Sequence, residues 1–147
     1  MSKNFFTDTE QQQIVEAIKQ AELNTSGEIR VHVEPTCDED PYQRAMKVFE
    51  SLGMQATELK NGVLFYLAYQ SKKFAIIGDK GIHEKVSQQF WDTEKELLVQ
   101  YFKANNHADG LIKAIGDAGQ KLKLHFPYAK TDVNELSNDI SFGGDHE

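Results

Sequence analysis

Apolar residues first recur at helical spacing at Ile14, Val15, Ile18 and Ala21, which predicts a helix reaching about Leu23. Thr7 and Glu10 stand ahead of it at capping-box spacing, where hydroxyl and carboxylate satisfy the free amides of a first turn. From Glu28 to Glu34 the period drops to two. Ile29, Val31 and Val33 fall on one face and Arg30, His32 and Glu34 on the other, the pattern of a strand with one wet or partly covered side. Asp40 before Pro41 opens a second helix, because the side chain accepts from a free amide and proline lacks an amide where none is needed. Ala45, Val48, Phe49 and Leu52 form its buried stripe, and Gly53 ends it.

The run Val63 to Tyr69 is continuously apolar or aromatic, as in a central strand covered on both faces. A third strand, Phe74 to Gly78, follows after a connection so short that the pair must be an antiparallel hairpin. From about Ile82 to His125 the pattern is helical, in three segments interrupted near Trp91-Asp92 and at Asn105-Asn106, with Leu111, Ile115, Ala118 and Leu122 as the last buried stripe. The first two strands are joined through a helix and are therefore expected to be parallel, with a right-handed crossover. Helices before and after the strands predict a three-layer α/β/α sandwich around a mixed three- or four-stranded sheet. Residues 1–136 read as one domain and 137–147 as a flexible, glycine-rich tail.

Composition narrows the function. A chain of 147 residues can bury one substantial core without disulfides or a structural metal. The net charge of -7, with lysines scattered along the sequence, argues against nucleic acid and anionic membranes as partners. Cys37 is the only cysteine, so no internal disulfide and no thiolate zinc cluster can form. With no apolar leader and no long apolar run, the expectation is a cytoplasmic protein that does not insert into membranes.

Candidate chemistry gathers where strand ends meet. If the third strand runs back against the first two, its carboxyl end lies on the rim where they begin. Thr25-Ser26-Gly27-Glu28, Lys60-Asn61-Gly62 and Gly78-Asp79-Lys80-Gly81 then share that rim, each with glycine beside an oxygen-bearing side chain. Asp79 and Glu28 would supply hard anionic ligands for calcium or magnesium. The plain alternative is that Asp79 caps the following helix or its turn. The opposite rim offers a rival in Thr36-Cys37-Asp38-Glu39-Asp40, whose successive carboxylates repel one another unless solvated or met by a cation.

Familiar catalytic patterns fail on counting. His83-Glu84 opens like a zinc-protease helix, but Ser87 stands where the second histidine belongs. Cys37 has acidic neighbours, which raise a thiol's pKa instead of activating it. No glycine-rich phosphate or dinucleotide loop is present, and Gln43 occupies the glycine position of an EF-hand counted from Asp38. No serine has a nucleophile elbow, and the scattered histidines and aromatics read first as ordinary surface and core.

A set of short stretches nevertheless resembles the TPM domain family. They are Ser26-Gly27-Glu28-Ile29-Arg30-Val31, then Val48-Phe49 with Leu52-Gly53-Met54 and Thr57, Asn61-Gly62-Val63-Leu64, and Ile76-Ile77-Gly78-Asp79-Lys80-Gly81-Ile82-His83. Trp91, Gly119, His125-Phe126-Pro127 and Asn134-Glu135-Leu136 follow in order, so the match spans roughly residues 10 to 136. The resemblance implies an α/β/α sandwich and binding of divalent cations, calcium above all. It also brings an acid phosphatase label from thylakoid-lumen relatives connected with photosystem II repair. It favours Asp79 facing a cation, with Glu28 as companion. The expected function is thus a noncatalytic, cation-binding module that docks on another protein. The alternative is a metal-dependent phosphatase acting on a phosphoprotein or small ester through metal-bound water.

Overall fold

The computed structural model describes residues 5–23, 25–57, 59–127 and 138–143. Helix α1 spans Asp8–Glu22, and its capping box is formed as expected: Glu10 N–H donates to Thr7 Oγ1 at 3.0 Å and Thr7 N–H to Glu10 Oε1 at 2.9 Å. Strand β1 is Glu28–Glu34 and helix α2 is Pro41–Ser51, capped where Gln43 N–H donates to Asp40 Oδ2 at 3.1 Å. Gly53, at φ 72°, turns the chain into a short 3-10 turn at Met54–Ala56. Strands β2, Gly62–Ala68, and β3, Lys73–Gly78, form the antiparallel hairpin. Helices α3, Lys80–His83, α4, Gln88–Lys103, and α5, His107–His125, follow, and β4 is the two-residue strand Ser141–Phe142.

The sheet has the order β3-β2-β1-β4, with β1 parallel to both β2 and β4. Period-two alternation sends Ile29, Val31, Val33, Val63, Phe65 and Leu67 toward the main core, which α1, α4 and α5 complete with residues such as Ile14, Leu98 and Ile115. Leu64, Tyr66, Ala68 and Ala75 face the other way, onto Ala45, Val48 and Phe49 of α2. Two helical layers therefore enclose one mixed sheet, an α/β/α sandwich.

Three details differ from the sequence reading. The helical break lies at residues 84–87, not at Trp91-Asp92; Trp91 is a buried residue in the first turn of α4, because its indole belongs to the main core. The second face of β1 is covered, since Glu28, His32 and Glu34 are buried and only Arg30 is partly open. Ser141 and Phe142, read as tail, pair with His32 and Val33 as the fourth strand. Residues 144–147 of that tail lie outside the described residues, as do Asn134, Glu135 and Leu136.

Candidate functional site

The strand register decides where the two acids fall. Glu28 is paired with Gly62, and the next residue along, Val63, is paired with Gly78. Glu28 N–H donates to the Asn61 carbonyl at 3.3 Å and Asp79 N–H to the Gly62 carbonyl at 3.0 Å. Glu28 and Asp79 thus flank Gly62 on one rim, as the reversed hairpin requires. Neighbouring strands are ~4.8 Å apart, so their Cα atoms stand about 10 Å apart. Alternation gives all three positions one face: Gly62 shares it with Leu64, Asp79 with Ile77, and Glu28 with His32, whose ring lies parallel to that of Tyr66 at 6.0 Å. The sheet position between the two acids is a glycine, which contributes no side chain of its own to that face.

The Asp79 carboxylate does two things. Its Oδ1 accepts from Lys80 N–H at 2.7 Å, so the residue is the cap of α3. Its Oδ2 is buried without a hydrogen-bond partner among the described residues, and no described lysine or arginine pairs with it. Glycine at 81 lets α3 close onto the neighbouring loop: a Cβ there would stand 2.3 Å from the Leu59 carbonyl oxygen and 2.7 Å from that of Lys60. Gly81 N–H in turn donates to the Lys60 carbonyl at 2.8 Å. The third loop is tied in through Ser26 N–H, which donates to the Phe126 carbonyl at 2.9 Å, and through Thr25 Oγ1, which accepts from Gly27 N–H at 3.0 Å.

A third carboxylate approaches this rim that the sequence reading missed. Glu22, at the end of α1, accepts from Ile29 N–H through Oε2 at 2.8 Å. Burial, and then the neighbouring Glu28 charge, push its carboxyl up to about 7. The signal was present, since Ile14, Ile18 and Glu22 are spaced four apart on the inward stripe. Even so, no group of three or more His, Cys, Asp or Glu residues among those described is assembled as a metal centre. A hard ion at Asp79 and Glu28 would complete its shell with backbone carbonyls and water, as calcium and magnesium do.

The rival rim is met by the chain's own cations. Lys73 Nζ donates to the carbonyls of Cys37 and Glu39 at 3.1 and 3.2 Å, Lys47 pairs with the Glu39 carboxylate at 2.9 Å, and Asp40 is committed to its cap. Beside it, Glu34 is the hub of a buried network. Arg44 donates to both its oxygens at 2.8 Å, Tyr66 Oη donates to Oε2, and His32 Nε2 lies 3.1 Å from Oε1. Although burial alone would raise it, these hydrogen bonds hold the Glu34 carboxyl well below the usual range. An acceptor-only carboxylate makes Nε2 the donor to Glu34, and Nδ1 lies 2.9 Å from Ser141 Oγ.

A model of the TPM domain matches residues 1–121, which is most of the chain. This protein belongs to the TPM domain family. Among solved structures, the TPM domain of this chain is similar to the BA42 protein of the psychrophilic bacterium Bizionia argentinensis, at 50% identity and a TM-score of 0.88, with 95% of this chain and 96% of that one covered. Two more distant likenesses show the fold alone. One is the N-terminal domain of the cg2496 protein of Corynebacterium glutamicum, with 14% identity, a TM-score of 0.63 and coverage of 97% and 82%. The other is the N-terminal domain of a P. gingivalis protein, with 16% identity, a TM-score of 0.67 and coverage of 83% and 79%. No curated protein matches. Among the described residues of this TPM domain, no helix is long and apolar enough to cross a membrane.

Proposed function

We propose that this TPM domain binds a divalent cation, calcium or magnesium, in the notch between Glu28 and Asp79, and that the loaded rim serves as a noncatalytic docking module for another protein. The carrying observation is the register that sets the two acids on one face across Gly62, with the second Asp79 oxygen buried and unpartnered. Burying a carboxylate oxygen without a donor is costly, and a hard cation removes that cost. A bound ion would also order the three rim loops into one surface.

Metal-dependent phosphoester hydrolysis needs a cation fixed by several ligands and an open position for water. Glu22, the third carboxylate near this rim, is engaged with Ile29 N–H, so binding is the reading we adopt. A cytoplasmic setting belongs to the same proposal, in keeping with Cys37 as a buried free thiol.

Calcium titration followed by amide NMR tests the reading. Saturable shifts are expected around residues 26, 61 and 79, and Asp79→Asn should abolish them. Shifts confined to Asp38, Glu39 and Asp40 would defeat the assignment. Hydrolysis of a phenyl phosphate ester that disappears in Asp79→Asn would establish the enzyme instead of the module.

A further inference from the structure

Five aromatic rings surround one concavity at the end of the molecule away from Asp79. Phe5 stacks on Tyr69 with centroids 4.2 Å apart and planes 14° apart, and His107 stacks on Phe102 at 4.7 Å and 20°. Phe5 meets His107 edge-on at 5.1 Å and Phe74 meets Phe102 edge-on at 5.2 Å, so a continuous chain of ring contacts lines the space. Each of these rings is only half-buried. The concavity measures about 650 Å³, within the range of small-molecule sites. Its walls come from the segment before α1, the β2–β3 hairpin, α4 and the α4–α5 turn.

Charge and backbone point the same way. Asp and Glu outnumber Lys and Arg 23 to 16 in the chain, yet among the described residues the lining includes Lys72 and Lys103 and no carboxylate. Lys72 holds φ 54° and Asn105, also in the wall, φ 60°. Glycine adopts that left-handed geometry freely and a lysine does not, so this cation stands where the backbone favours glycine. Neither ring nitrogen of His107 is hydrogen-bonded to a described residue. Burial lowers its pKa against the opposing pull of Glu10, so at neutral pH the ring offers one donor and one acceptor.

We infer that this groove binds a small amphiphilic anion: a flat aromatic or acyl body held against the rings, bearing one carboxylate, sulfonate or phosphate that Lys72 and Lys103 receive. The site is independent of the cation notch. The seven residues of β2, at ~3.3 Å each, hold the two about 20 Å apart.

Anilinonaphthalene sulfonate and its uncharged counterpart phenylnaphthylamine test the inference by amide NMR and fluorescence on the full chain. One saturable sulfonate site is expected, with shifts at Tyr69, Lys72, Phe74, Phe102 and His107 and binding about tenfold tighter than that of the neutral probe. Lys72→Glu with Lys103→Glu should weaken it at least about tenfold while other amides stay in place, since both side chains are exposed. Asp79→Asn should bind the probe unchanged, so failure here and failure of the cation reading are distinguishable. Shifts elsewhere, equal affinity for the neutral probe, or indifference to the charge reversals would overturn the site. Tighter binding of an acidic aromatic peptide at the same amides would overturn the small-ligand assignment.

Discussion

Glu94 is a carboxylic acid in the wrong solvent. It is 4% exposed on α4, and burial, followed by Asp117 on α5, pushes it from 4.5 up to about 7. The folded chain holds this proton after the unfolded chain has released it, so stability falls as pH rises from 4.5 through about 7 and is flat above. Glu22 acts with the same sign in the same window. Glu94→Gln keeps a donor toward Asp117 without the titration. Denaturant unfolding should find the variant near the parent at about pH 4 and more stable by about 2 kcal/mol at about pH 8. A difference that does not change with pH would refute this. Glu34 has the opposite sign: its lowered pKa gives stability that is present above 4.5 and lost as pH falls. Glu34→Gln should cost about 3 kcal/mol near neutrality, because Arg44, His32 and Tyr66 all lose a charged acceptor. Glu94 was legible only in part: it lies three residues after Trp91 and four before Leu98, on the buried stripe, but its charge argues for solvent and the pairing across to α5 leaves no trace in spacing.

Elements with several turns or alternations could be read directly. The Thr7 and Asp40 caps and the Glu28–Glu34 strand are local patterns, and the hairpin follows from a short connection. Two residues cannot display a period, so β4 could not be recognised, and the buried Trp91 read as a break because only the folded core shows where its ring goes. At the site, placing Glu28 and Asp79 on one rim needed only strand directions, whereas Glu22 and the Glu34 hub needed packing. Gly143 closes that hub. A Cβ at this position would stand 2.8 Å from His32 Nε2 and 2.9 Å from Glu34 Oε1, while its N–H donates to the Val33 carbonyl at 2.9 Å. Gly143→Ala should therefore lift β4 from β1. Hydrogen exchange should show lost protection at Gly143 with the β1–β2 amides still slow; unchanged protection would contradict the packing.

For the molecule as a whole, a ligand that prefers the folded state must raise its stability. At a hundredfold excess over Kd the gain is about 2.7 kcal/mol, or roughly 5 to 10 °C in Tm for a chain of this size. Calcium should produce that rise in the parent and not in Asp79→Asn, and a chelator should reverse it. Equal melting with calcium and chelator would leave the rim loops as turns alone.

His32 meets Ser141 across 109 positions of sequence. At synthesis rates of about 5 to 20 residues per second, roughly 5 to 20 s separate the emergence of the two from the ribosome. Throughout that interval the nascent sheet carries the flank of its first strand uncapped. His32 and Val33 wait that long for the pairing that Ser141 and Phe142 supply.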